Sequence, residues 1–147
     1  MTSRHVKGVR SSSAGAANVP ASYEELTPGQ ELAPVEYTLD PEAVASYVEA
    51  VGAAECRYVP PLAVAARAIA SLADLVELPP GTIHASQEFD FSGLVPVGAQ
   101  VTCNAKVHKK LSRGSMRLLT LELRISDRAG QLVQRGLSTV VIPESPQ

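Results

Sequence analysis

PLAVAARAIASLADLVEL, residues 61–78, carries six alanines, and between Pro61 and Val76 its only polar side chains are Arg67, Ser71 and Asp74. Those three fall four and then three residues apart, so a helix here shows a single narrow polar stripe. A helix that is apolar on nearly every other side must be enclosed. No apolar run of the chain approaches the roughly 20 residues that span a bilayer, so protein has to enclose it. The alanines allow a sheet to come close.

The residues that follow supply that sheet. Ile83, Ala85, Gln87, Phe89 and Phe91 alternate with His84, Ser86, Glu88 and Asp90, the period-two pattern of a strand with one core face and one polar face. Val101, Cys103, Ala105 and Val107 alternate with Thr102, Asn104, Lys106 and His108. Leu119, Leu121, Leu123 and Ile125 alternate with Thr120, Glu122 and Arg124. Arg113-Gly114 and Asp127-Arg128-Ala129-Gly130 stand where hairpin turns are needed, and Leu132 to Ile142 forms a last strand before Pro143.

On the other side of the apolar helix, Thr27-Pro28-Gly29 marks a turn, and Val35, Tyr37 and Leu39 alternate with Glu36 and Thr38 as a half-buried strand. Asp40-Pro41 offers a helix cap followed by proline at the first helical position. Val44, Tyr47, Val48 and Val51 then repeat at helical spacing until Gly52. The expected order is strand, amphipathic helix, enclosed helix and four antiparallel strands, an α+β domain over residues 23–143. Residues 1–22, Ser-rich and without an apolar core, read as a disordered tail, and residues 144–147 as a C-terminal tail.

Composition narrows the partners. A formal net charge of -2 with scattered signs offers no basic face for nucleic acid or for a membrane surface. Small neutral or apolar ligands and a cytoplasmic setting fit better. Cys56 and Cys103 are far apart and neither has a His or Cys at metal-ligand spacing, so no metal site is expected.

Two segments resemble the MaoC-like (R)-specific enoyl-CoA hydratases and 3-hydroxyacyl dehydratases. One is Tyr23-Glu24-Glu25-Leu26-Thr27-Pro28-Gly29. The other, Phe89-Asp90-Phe91-Ser92-Gly93-Leu94-Val95-Pro96-Val97-Gly98, is similar to the family's F-x-x-P-V-x-x-G-D turn; Asp127 to Gly130 resembles its last hairpin. The resemblance covers residues 23–143 and implies the hot-dog fold, a five-stranded antiparallel sheet wrapped around a long apolar helix. It also implies an acyl thioester of coenzyme A or acyl carrier protein as ligand, with no cofactor.

Active members of that family carry a motif like G-D-x-N-P-x-H before the enclosed helix. Its Asp and His act on a water while the helix N-terminus binds the thioester oxygen. In that register Gly52 matches, Ala53 stands at the Asp, Glu55 at the Asn, Cys56 at the Pro and Tyr58 at the His. Alanine cannot accept a proton, and tyrosine, with an ordinary pKa of about 10, is a poor base at neutral pH. The family's His-Gly at the helix start is replaced by Pro60-Pro61, and Pro61 has no N–H to donate. The amides of Leu62 and Ala63 remain as candidates to face a thioester oxygen. The loop before the helix is also shorter than in active members.

The resemblance therefore implies a degenerate subunit that pairs with a catalytic MaoC-like paralogue. The alternatives are a self-sufficient homodimeric hydratase, dehydratase or thioesterase, and a non-enzymatic acyl-binding module. Glu55 could serve as a lone general base, or be a loop carboxylate in water. His108, flanked by Lys106, Lys109 and Lys110, could contact a phosphate of the carrier, or these residues form a solvated strand edge. His84 and Glu88, on one strand face, are too far apart for an adjacent pair and read as surface or as catalytic candidates. Arg67, Ser71 and Asp74 either meet a partner subunit or form the helix's exposed strip.

Overall fold

The computed structural model describes residues 19–54 and 56–144. A short 3₁₀ turn, Tyr23–Glu25, precedes strand β1 (Val35–Thr38), helix α1 (Pro41–Val51), helix α2 (Pro61–Leu75) and strands β2 (Ile83–Phe91), β3 (Gln100–Arg113), β4 (Met116–Ser126) and β5 (Leu132–Pro143). The strands form one antiparallel sheet in the order β1-β3-β4-β5-β2. Among the described residues no helix is long and apolar enough to cross a membrane.

Local chemistry fixes α1 at both ends. Asp40 Oδ1 accepts the Glu42 N–H at 3.0 Å, Pro41 occupies the first position, and Gly52 closes the helix at φ 69°, a conformation that a side chain would strain. α2 ends three residues before the expected Leu78. Val76 is extended and bridges to Ala21, whose N–H donates to the Leu75 carbonyl and whose carbonyl accepts from Glu77. Ala21 belongs to the stretch read as a tail, and it is tied to the end of α2 by these two backbone bonds.

The core is one cluster. Val64, Ala68, Leu72 and Leu75 of α2 meet Val101, Cys103, Ala105 and Val107 of β3 and Leu119, Leu121, Leu123 and Ile125 of β4. The period-two reading of β3 and β4 gives these inward residues correctly. Burying the side chains of one such strand against the helix is worth roughly 1.5–3 kcal/mol per large aliphatic group.

Three expectations need correction. First, α2 is covered on one side rather than all round: Leu62, Ala66, Arg67, Ala70, Ala73 and Asp74 are exposed. Second, Ser71 does not belong to the exposed strip. It is fully buried, because its hydroxyl donates to the Ala68 carbonyl at 2.6 Å and so enters the core with its polar group satisfied. Third, a bulge at Ala85 shifts the register of β2, so that His84 pairs with Val140 whereas Ser86 pairs with Thr139. His84 thus shares the helix-side face with Gln87, Phe89 and Phe91, while Glu88 lies on the opposite face.

Candidate functional site

The segment between the helices is anchored at both ends. Ala53 donates its N–H to the Val48 carbonyl at 3.0 Å, as part of the α1 cap, and its side chain is exposed. Downstream, Val59 N–H donates to Val95 O at 2.8 Å and Val97 N–H to Arg57 O at 2.9 Å, pairing Tyr58 with Pro96. The Arg57 guanidinium lies 4.9 Å from the centre of the Tyr58 ring. Tyr58 is therefore held against the β2–β3 connection, half-buried, at the entrance to α2. Glu55 lies outside the described residues.

Two prolines open α2. Pro60 is the cap, with extended backbone and no side-chain hydrogen bond, and Pro61 is the first helical residue. The Pro60 carbonyl accepts from Ala63 at 2.9 Å and from Val64 at 3.3 Å. Ala63 N–H is thus spent inside the first turn. Leu62 N–H is the amide of this turn without a backbone partner among the described residues, and the Leu62 side chain is 61% exposed. The Pro61 carbonyl takes a hydrogen bond from Gln134 Nε2 at 2.8 Å, which fixes the helix start to β5. Gln134 is fully buried, and its Oε1 has no partner among the described residues.

Beside this helix start a groove of about 510 Å³ runs between the two helices. Its walls are Ala43, Val44 and Tyr47 from α1 and Ala63, Ala66 and Ala70 from α2, with Leu39 and Val59 closing it and Thr38, Asp40 and Arg67 as its polar members. The alanines of α2 account for the width, since each leaves space that a larger side chain would fill. Sequence reasoning identified the alanines but assigned their space to a sheet; nothing in the spacing of α1 alone announces a groove.

A second polar cluster lies on the other flank of α2. His84 Nε2 is 3.1 Å from Gln87 Oε1 and 3.2 Å from Ser138 Oγ, at the head of a cavity of about 330 Å³ that Ile69, Leu72, Leu78 and Val140 also line. Gln87 Nε2 donates to the Glu88 carbonyl at 3.1 Å, which orients its oxygen towards the imidazole. The same His nitrogen serves both neighbours. When it carries the proton for Gln87 it has no lone pair with which to draw one from Ser138, so this is not an arranged nucleophile–base pair.

His108 is the bulged residue of β3 and is exposed. The lysines around it diverge: beyond the bulge Lys110 turns inward, donates to the Leu26 carbonyl at 2.9 Å and lies 4.4 Å from the centre of the Tyr23 ring. His108 is not brought near Tyr58, Leu62 or Ala63 by any hydrogen bond or shared cavity among the described residues. No group of three or more His, Cys, Asp or Glu that could hold a metal is present among the described residues.

No protein-family profile and no curated protein sequence matches the chain. Solved structures do. R-hydratase PhaJ1 from Pseudomonas aeruginosa superposes with a TM-score of 0.72 at 22% identity, over 87% of this chain and 88% of its own. The (R)-hydratase from A. caviae involved in PHA biosynthesis gives 0.65 at 22%, over 82% and 99%. The HadBC (3R-hydroxyacyl-ACP dehydratase) complex from Mycobacterium tuberculosis gives 0.58 at 17%, over 78% and 96%. The chain has the hot-dog fold that these hydratases and dehydratases share. At this level of identity the likeness establishes the architecture.

Proposed function

We propose that this chain is an acyl-thioester-binding MaoC-like protein that lacks the family's acid–base pair and works as one subunit beside a catalytic paralogue. The observation that carries the reading is at the α1 end: Ala53, held on the Val48 carbonyl, has no group that can take a proton. Tyr58 is fixed to the β2–β3 connection under Arg57 and keeps an aromatic hydroxyl where the resemblance asks for an imidazole. The acyl group lies in the groove between α1 and α2, with its thioester carbonyl at the Leu62 amide. The HadBC complex, one chain of which superposes on this one, is a precedent for pairing. The open edge of β2 is the surface through which a second hot-dog chain would join. The setting we propose is cytoplasmic.

General acid–base catalysis contributes about 10²–10⁴-fold, so the purified chain alone is expected to show little hydration of 2-enoyl-CoA while still binding acyl-CoA. Addition of a paralogue that carries the Asp and His is expected to produce turnover together with a mixed dimer in sedimentation. Robust turnover by the isolated chain overturns the reading.

A further inference from the structure

We propose that Arg67 makes the α1–α2 groove selective for acyl thioesters whose acyl group carries a free carboxylate at its far end. This rests on the reading that the acyl group occupies that groove. The walls are methyl and methylene groups, chiefly from Ala43, Val44, Ala63 and Ala66, and a plain alkyl chain would be content with them. Arg67 is out of keeping. Its guanidinium carbon lies 4.9 Å from the centre of the Tyr37 ring, which braces it at the groove. Among the described residues the ion pairs involve Arg117, Arg124 and Arg135, and none involves Arg67. The other charged group lining the groove, Asp40, is turned to the α1 cap by its bond to Glu42 N–H.

A guanidinium presents five N–H donors in a planar fork that fits a carboxylate bidentately. Beside an alkyl chain those exposed donors stay in water and add nothing to binding. A carboxylate at the far end of the acyl group gives them a charged, bidentate partner. Arg67 is five residues beyond Leu62, about 7.5 Å along the helix, and helical side chains lean back towards the N-terminus. The span from the thioester carbonyl is then roughly 5–8 Å, which suits a dicarboxylic acyl group of roughly four to six carbons.

The test compares two probes of equal chain length, glutaryl-CoA and pentanoyl-CoA, titrated calorimetrically into the full chain and into Arg67→Met and Arg67→Lys. The site is on an exposed helix face, and Arg67→Lys retains charge without the fork. Glutaryl-CoA is expected to bind about tenfold or more tightly than pentanoyl-CoA, with the preference abolished in Arg67→Met and reduced in Arg67→Lys. Equal affinities, or a preference that survives in Arg67→Met, overturn the inference and leave acyl-thioester binding standing. Failure of both thioesters to bind overturns the acyl-thioester reading itself, and the inference with it.

Discussion

Two halves of the sheet cover α2, and they are built differently. Under β3 and β4 the inward positions are apolar without a break, from Val101 to Val107 and from Leu119 to Ile125, and all are buried. Under β2 and β5 the same face carries His84, Gln87, Gln134 and Ser138, with Gly136 leaving room for the Phe89 ring. The first half closes the core. The second is an edge, half open, where His84, Gln87 and Ser138 meet one another, Gln134 Nε2 holds the start of α2, and Gln134 Oε1 has no partner among the described residues. The contrast separates residues that hold the fold from those free to shape a surface, and it can be tested from either side.

The largest effect is expected in the closed half. Leu121 is 1% exposed in the middle of β4, and Leu121→Ala should cost about 2–5 kcal/mol in denaturant unfolding, with Leu72→Ala in the same range. A loss below about 1 kcal/mol at both positions would mean that this half is not close-packed. Ile69, only half-buried beside the open cavity, should cost less than Leu72.

A smaller effect is expected where the halves meet the edge. A Cβ on Gly136 would stand 2.6 Å from the Phe89 ring and 3.0 Å from the Glu88 carbonyl. The ring can swing outward at the edge strand but the carbonyl cannot, so Gly136→Ala should cost about 1–3 kcal/mol. Thermal unfolding of the variant at wild-type temperature would show instead that the edge yields freely.

How much of this the sequence carries depends on whether a residue's own chemistry marks the feature. α1 is legible to the residue because Asp40, Pro41 and Gly52 signal its ends. β3 and β4 are legible through their unbroken alternation. The bulges at Ala85 and His108 are not, since neither involves a glycine or proline and each inverts the pattern after it. Alternation alone groups His84 with Glu88 instead of Gln87 and carries β3 only to His108, whereas the strand runs to Arg113. Helical spacing groups Ser71 with Arg67 and Asp74, whereas its bond to the Ala68 carbonyl, which lets it enter the core, is a local compensation that spacing does not reveal. At the candidate site the replaced residues Ala53 and Tyr58 are visible in sequence, but the spent Ala63 amide and the groove beside it depend on how the two prolines start α2.

The closed half also makes a chemical prediction. Burial pushes the Cys103 thiol up to about 11, with the neighbouring Ser71 hydroxyl working the other way. Tyr37, close by, is raised for the same reason. A folded pKa above the ordinary value of 9 means that the native state favours the protonated thiol. Its contribution to stability is complete below 9 and is lost as pH rises through about 11. At pH 8 a thiol reagent should modify the exposed Cys56 quickly and Cys103 only as the chain unfolds. Equal rates at the two thiols would show that this half admits solvent.

The smallest effect is expected in the open half. Ser138 is fully buried, but among the described residues its hydroxyl has only His84 as a partner, which is itself exposed and already in contact with Gln87. Removing the hydroxyl leaves a His nitrogen that can turn to Gln87 or water, so no buried group is orphaned. Ser138→Ala should therefore cost no more than about 0.5–1.5 kcal/mol, well below Leu121→Ala. Leu121 and Ser138 are cross-strand partners on neighbouring strands, so the double variant should depart from the sum of the single losses by about 0.5 kcal/mol or more. A loss at Ser138 as large as that at Leu121 would mean that the polar cluster holds the sheet edge to α2, and the division into a closed half and an open half would fail.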